Sequence, residues 1–125
     1  MDKVIKVVLV DDETSFVEPM SLLFQEKGYS VSVFSNGKDA LKKIKEDKPD
    51  IVFVDLIMPD MDGYTVLKKI REINQTLPVI MMSGYIEDTR VEKKINLQGV
   101  FATYYKGNDF SEALSLLKSA LKLEK

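Results

Sequence analysis

A chain of 125 residues, 45% hydrophobic and 30% charged, has the size and make-up of one soluble globular domain, with enough apolar surface to fold without a metal or disulfide staple. Its net charge of −2 provides no clustered excess of Lys and Arg for a nucleic-acid surface. With no Cys there are no disulfides, thiolate nucleophiles or Cys-held zinc. With no His the commonest general base and metal ligand is missing, so any metal must be held by oxygen, which points to Mg²⁺, Mn²⁺ or Ca²⁺.

The start, Met1-Asp2-Lys3, is too short and too acidic for a signal peptide, and no apolar run approaches membrane-spanning length. A cytoplasmic protein is expected. Val4–Val10 (VIKVVLV) predicts the first strand, nearly continuous in apolar character as a strand covered on both faces should be. A helix follows, with Phe16, Met20, Leu23 and Phe24 on one face, a local irregularity at Pro19 and a stop at Lys27-Gly28. Ser30–Phe34 alternates Ser with Val, which suits a sheet edge, and Ala40, Leu41 and Ile44 mark a second helix. Ile51–Val54 is the third strand, and Val66, Leu67, Ile70 and Ile73 line the third helix. Pro78–Ser83 is the fourth strand. A weaker helical pattern covers Ile86 to Leu97, ending at Gln98-Gly99. Val100–Tyr105 is the fifth strand, and Phe110, Ala113, Leu114, Leu117 and Leu121 define the last helix.

Five strand–helix units in strict alternation, with no linker, repeat or low-complexity tract between them, predict a single α/β domain over residues 1–125: a doubly wound, five-stranded parallel sheet in a flavodoxin-like three-layer sandwich. In such sheets ligands bind beyond the carboxyl ends of the strands. Asp11, Asp12 and Glu13 follow strand one, Asp55 ends strand three, Ser83 and Gly84 end strand four, and Lys106 follows strand five. With strand order 2-1-3-4-5 these ends are neighbours. Three carboxylates at close range repel unless a cation sits among them, and Mg²⁺ suits a few carboxylates and a phosphate. Singly, Asp12 is explained as a helix cap, Asp55 as a solvated loop acid, Lys106 as a salt-bridge partner and Ser83 as a turn residue. Jointly they describe phosphoryl chemistry, with Asp55 as nucleophile, Ser83 donating to a phosphoryl oxygen, and Lys106 and the metal neutralising charge.

The segments LVDDE, VDLIMPDMDG, MMSG and YYKG, above all the spacing from Asp55 through Pro59 to Gly63, resemble the receiver (CheY-like) domain of two-component response regulators over essentially the whole chain. The resemblance implies that Asp55 accepts a phosphoryl group from a phosphohistidine on a sensor histidine kinase or phosphotransfer protein. It implies that Asp12, Asp55 and the Ile57 backbone carbonyl bind Mg²⁺ (or Mn²⁺), with Asp11 acting mainly through water. Ser83 swings toward the aspartyl phosphate, and Lys106 pairs with its oxygens. Pro59 restricts the turn after Asp55, and Gly63 supplies backbone freedom before the third helix. The protein so implied is a signalling switch rather than an enzyme, catalysing only its own phosphoryl transfer and loss. It changes the face formed by the segment Ile86–Leu97, strand five and the last helix for a downstream effector, with no contact to nucleic acid or membrane by this domain.

Two positions depart from the family pattern, and two variable ones bear on the phosphoryl lifetime. Thr103 stands where an aromatic reporter of phosphorylation is common, and Gly107 where a Pro often follows the Lys. Ile57 and Tyr85, flanking the phosphoryl group, are bulky and poorly suited to orient an attacking water, so a long-lived aspartyl phosphate is expected. The last helix runs out in KSALKLEK, as in either a stand-alone receiver or a domain excised from its effector. Three other readings compete. An aspartyl-phosphate phosphatase would place Asp-x-Asp after strand one and carry a cap insertion. A flavin-binding protein would have a neutral loop in place of Asp-Asp-Glu. A phosphorylation-independent pseudo-receiver would have no need of the full set Asp11, Asp12, Asp55, Ser83 and Lys106.

Overall fold

The computed structural model describes residues 3–84 and 99–123. Strands β1 (Lys6–Val10), β2 (Ser30–Phe34), β3 (Ile51–Asp55), β4 (Val79–Ser83) and β5 (Ala102–Tyr105) form one parallel sheet in the expected order β2-β1-β3-β4-β5. Helices α1 (Thr14–Glu26), α2 (Gly37–Asp47) and α3 (Gly63–Ile73) follow the first three strands, and a C-terminal helix (Phe110–Ala120) follows β5. The helical segment expected at Ile86–Leu97, and Tyr85 before it, lie outside the described residues. No helix among the described residues is long and apolar enough to cross a membrane.

Side chains alternate across a strand, so a continuous apolar strand feeds two cores. Val8, Val10, Val52, Val54, Val79 and Met81 pack beneath α2 and α3. Their sequence neighbours Val7, Leu9, Ile51, Phe53, Ile80 and Met82 pack beneath α1 and the C-terminal helix, together with Tyr104. The same alternation continued past each strand assigns Asp11, Asp55 and Lys106 to the side of α1 and the C-terminal helix, the geometric reason that residues so distant in sequence converge.

The helices refine the expected faces. In α1 the inward residues are Val17, Met20, Ser21 and Phe24, so Val17 takes the place assigned to Leu23. The helix runs unbroken across Pro19, contrary to the expected irregularity. Pro19 and Ser15 are both exposed, so water can satisfy the Ser15 carbonyl that loses its donor. In α3 Val66, Leu67 and Ile70 are buried, but Ile73, at the helix end, is exposed.

Candidate functional site at the carboxyl edge of the sheet

One carboxylate oxygen from each of Asp11, Asp12 and Asp55 lies within 4.8 Å of the other two. Asp11 and Asp55 are 0% and 5% exposed, whereas Asp12 is open to solvent. Backbone bonds fix the two buried acids. The Asp11 N–H extends the β2 ladder by donating to the Phe34 carbonyl at 2.9 Å, and Asp11 Oδ1 accepts the Glu13 N–H at 2.8 Å. Asp55 is the last residue of β3, in register with Met82, and the next N–H, from Leu56, donates to the Met82 carbonyl at 2.9 Å. Glu13, not Asp12, is the N-cap of α1, and it makes no side-chain capping bond. Helix capping therefore does not account for Asp12.

Lys106 closes the group. Its N–H donates to the Ser83 carbonyl at 2.8 Å, tying the ends of β5 and β4 together. Its ammonium lies 3.1 Å from Asp11 Oδ2 and 3.5 Å from Asp55 Oδ2, donates to Glu13 Oε1, and sits over the Phe16 ring. Ser83 is buried at the end of β4, in register with Tyr105. Ile57, two residues past Asp55, is 61% exposed at the rim.

The balance of charge is unfavourable for two buried carboxylates. Burial, and then the neighbouring Asp11 charge, push the Asp55 carboxyl up to about 7, against the opposing pull of Lys106 and the Ile57 backbone N–H. Burial alone would lower the Lys106 ammonium, but its bond to Glu13 and the pull of Asp11 and Asp55 together hold it above the ordinary lysine value. Asp11 Oδ2 has no aligned hydrogen bond, since Lys106 at 3.1 Å is close enough to attract it but not directed at it. A buried carboxylate oxygen with no aligned hydrogen bond, beside two more carboxylates, is the arrangement a hard divalent cation satisfies. The oxygen-only donor set fits Mg²⁺ or Mn²⁺.

The turn after β3 corrects one expectation. Asp60 takes φ 65°, at the centre of a tight turn closed by the Met61 N–H donating to the Pro59 carbonyl at 2.7 Å. Gly63 is needed for space rather than for backbone freedom. A Cβ there would strike the Asp55 carbonyl oxygen, Leu56 Cα at 2.8 Å and Met81 Sδ at 2.9 Å. Its N–H also donates to the Leu56 carbonyl at 2.8 Å, so α3 begins directly against the end of β3.

Around β5, Thr103 is exposed. Tyr104 is buried on the opposite side, its hydroxyl donating to the Asn108 carbonyl at 2.5 Å. Tyr105 lies over Gly107, where a Cβ would come within 2.7 Å of Tyr105 Cζ, and the Lys106–Gly107 peptide is trans. Two neighbours of Lys106 had no role assigned from sequence. In the sequence Glu13 reads only as one of the acids after β1 and Phe16 as part of a helical apolar stripe, because only the fold carries Lys106 to them.

The family model for the response regulator receiver domain matches residues 7–118. The chain belongs to that family, a class of phosphorylation-activated switches of two-component systems. It is 33% identical over 93 residues to the alkaline phosphatase synthesis transcriptional regulatory protein PhoP of Bacillus subtilis, a match that takes in 74% of this chain and 38% of that protein. The match therefore spans well under half the length of that relative. It is 29% identical over 119 residues to sporulation initiation phosphotransferase F of B. subtilis, covering 95% of each. Among solved structures, the CheX–CheY–BeF₃–Mg²⁺ complex from Borrelia burgdorferi includes a chain that matches with a TM-score of 0.85 and 29% identity, covering 94% of this chain and 89% of that one.

Proposed function

We propose that Asp55 is the phosphoacceptor of this receiver domain and that Asp11, Asp12 and Asp55, with the Ile57 backbone carbonyl, hold one Mg²⁺ beside it. The observation that carries the proposal is the convergence of the three carboxylates within 4.8 Å around an Asp11 oxygen that has no hydrogen bond. That a similar chain was solved with Mg²⁺ and BeF₃ supports the choice of metal. Bound Mg²⁺ would supply positive charge for the carboxylates and for the incoming phosphoryl oxygens.

The chain's own residues do the rest. A carboxylate oxygen of Asp55 attacks the phosphorus of a phosphohistidine on a sensor kinase or phosphotransfer partner. The P–N bond breaks, its electron pair returns to the imidazole, and an acyl phosphate forms on Asp55. Asp55 must be ionised for this, and the Lys106 ammonium 3.5 Å away favours the ionised form. Lys106 then pairs with a phosphoryl oxygen in place of the carboxylate it now faces. Ser83, at the end of the adjacent strand, donates to another. The face that includes β5 and the C-terminal helix passes the change to an effector in the cytoplasm.

Incubation with Mg²⁺ and a small acyl phosphate tests the reading by intact mass. The wild-type chain is expected to gain one phosphoryl group and Asp55→Asn none. Equal labelling of both forms would place the acceptor elsewhere.

A further inference from the structure

The Lys106 ammonium rides on the face of the Phe16 ring, 4.6 Å from its centroid. Phe16 is half-buried in the first turn of α1, and its ring meets that of Phe110, at the start of the C-terminal helix, edge-on at 5.5 Å and 70°. One aromatic thus fixes the plane of the other, and the fixed ring offers its electron-rich face to the cation. On its other sides the ammonium is contested. Asp11 and Asp55 draw it inward from 3.1 and 3.5 Å, while the solvent-exposed Glu13 bonds it from the rim.

Lysine is a compact charge on a flexible four-carbon stem, so rival carboxylates can hold it in more than one place. A ring face attracts the charge without saturating any of its three donors. The donors that Glu13 does not take stay available to oxygens on the Asp55 side. An aliphatic side chain of similar volume would fill the space but offer the charge nothing.

We propose that Phe16 is a positioning residue for Lys106, seating the ammonium where it can reach a phosphoryl group on Asp55 rather than letting Glu13 draw it to the rim. The inference rests on Asp55 being the acceptor and adds to that reading a residue on a different element.

The test compares Phe16→Leu, Phe16→Met and Phe16→Tyr with wild type, each first checked for native amide NMR dispersion. Phosphoryl uptake is timed with Mg²⁺ and acetyl phosphate, where Asp55 attacks phosphorus, the P–O bond to the acyl group breaks and acetate leaves. Phe16→Leu and Phe16→Met are expected to be slower by about 5-fold, in the range of a partly desolvated cation–π contact, with Phe16→Tyr restoring the rate to within about 2-fold. In a Lys106→Gln background, Phe16→Leu should add no further loss, because the contact it removes is already gone. Wild-type rates in the Leu and Met variants, or full additivity with Lys106→Gln, would overturn the proposal. A second readout does not depend on phosphorylation. The Lys106 side-chain methylene protons should be shifted upfield by the ring current of Phe16 and return to ordinary values in Phe16→Leu. If the wild type takes up no phosphoryl group the acceptor reading fails, and the absence of that ring-current shift would independently remove Phe16 from its assigned place.

Discussion

At the scale of single residues, Asp55 is held where its charge is least welcome. A carboxyl raised to about 7 in the metal-free fold keeps its proton there at pH values where the unfolded chain has already lost it. Between about pH 4 and 7 the folded state binds more protons than the unfolded state, so stability falls as pH rises through that window. Metal-free protein is expected to lose stability between the two limits, and Asp55→Asn to flatten the profile; urea unfolding across pH measures both. A metal-free stability that rises from pH 4 to 7 would contradict this account of the carboxyl. Gly63 makes a separate prediction. Gly63→Ala forces a methyl group against the end of β3 and the Met81 sulfur and should cost about 2–4 kcal/mol in chemical denaturation, with loss of Mg²⁺ affinity because Asp55 moves with its backbone.

At the scale of elements, local chemistry sets most boundaries. Asn36 and Asp62 cap α2 and α3 by accepting the Asp39 and Thr65 N–H groups, each at 2.8 Å. α1 ends with Gly28 at φ 96°. The Gly28 N–H donates to the Gln25 carbonyl and the Tyr29 N–H to the Phe24 carbonyl, while the Phe24 and Tyr29 rings pack edge-on at 6.3 Å. Nothing lies within 4 Å of a Cβ placed on Gly28, so Gly28→Ala isolates the backbone cost, expected at about 1 kcal/mol by thermal or urea unfolding. The contrast with Gly63 shows where sequence reading stops. Lys27-Gly28 is legible as a helix stop because the local chain demands a positive φ. At Gly63 the need comes from β3 and β4, and a sequence gives the same letter for both reasons. The strands were legible because apolar runs covered on both faces leave little ambiguity, and Asp55 stood out as an acid inside such a run. Val17, rather than Leu23, faces inward because the helix phase is set by tertiary packing that short apolar stripes fix only loosely. The contacts of Lys106 with Glu13 and Phe16 span the length of the chain and exist only after β5 is placed beside β4.

At the scale of the whole molecule, the parallel sheet delivers residues from both ends of the chain to one edge, and its two cores hold that edge still. In the proposed switch, phosphorylation changes charge at one point of that edge, and the face that includes β5 and the C-terminal helix would carry the change to a partner. How long the signal lasts depends on water. Ile57, exposed at the rim of the site, is an aliphatic side chain with no group to orient a nucleophile, and the sequence puts a second bulky residue, Tyr85, two positions past Ser83. Replacing both with small polar residues is expected to speed loss of the phosphoryl group severalfold, followed by intact mass after removal of the donor; an unchanged lifetime would remove them from that role. The measurement that bears most directly on the gathered acids is amide NMR with beryllium fluoride, a stable mimic of the phosphoryl group, added with and without Mg²⁺. Large shifts around Asp11, Asp55, Ser83 and Lys106 are predicted when both are present, and none with beryllium fluoride alone or in Asp55→Asn. Shifts that need no Mg²⁺, or that persist in Asp55→Asn, would contradict the account.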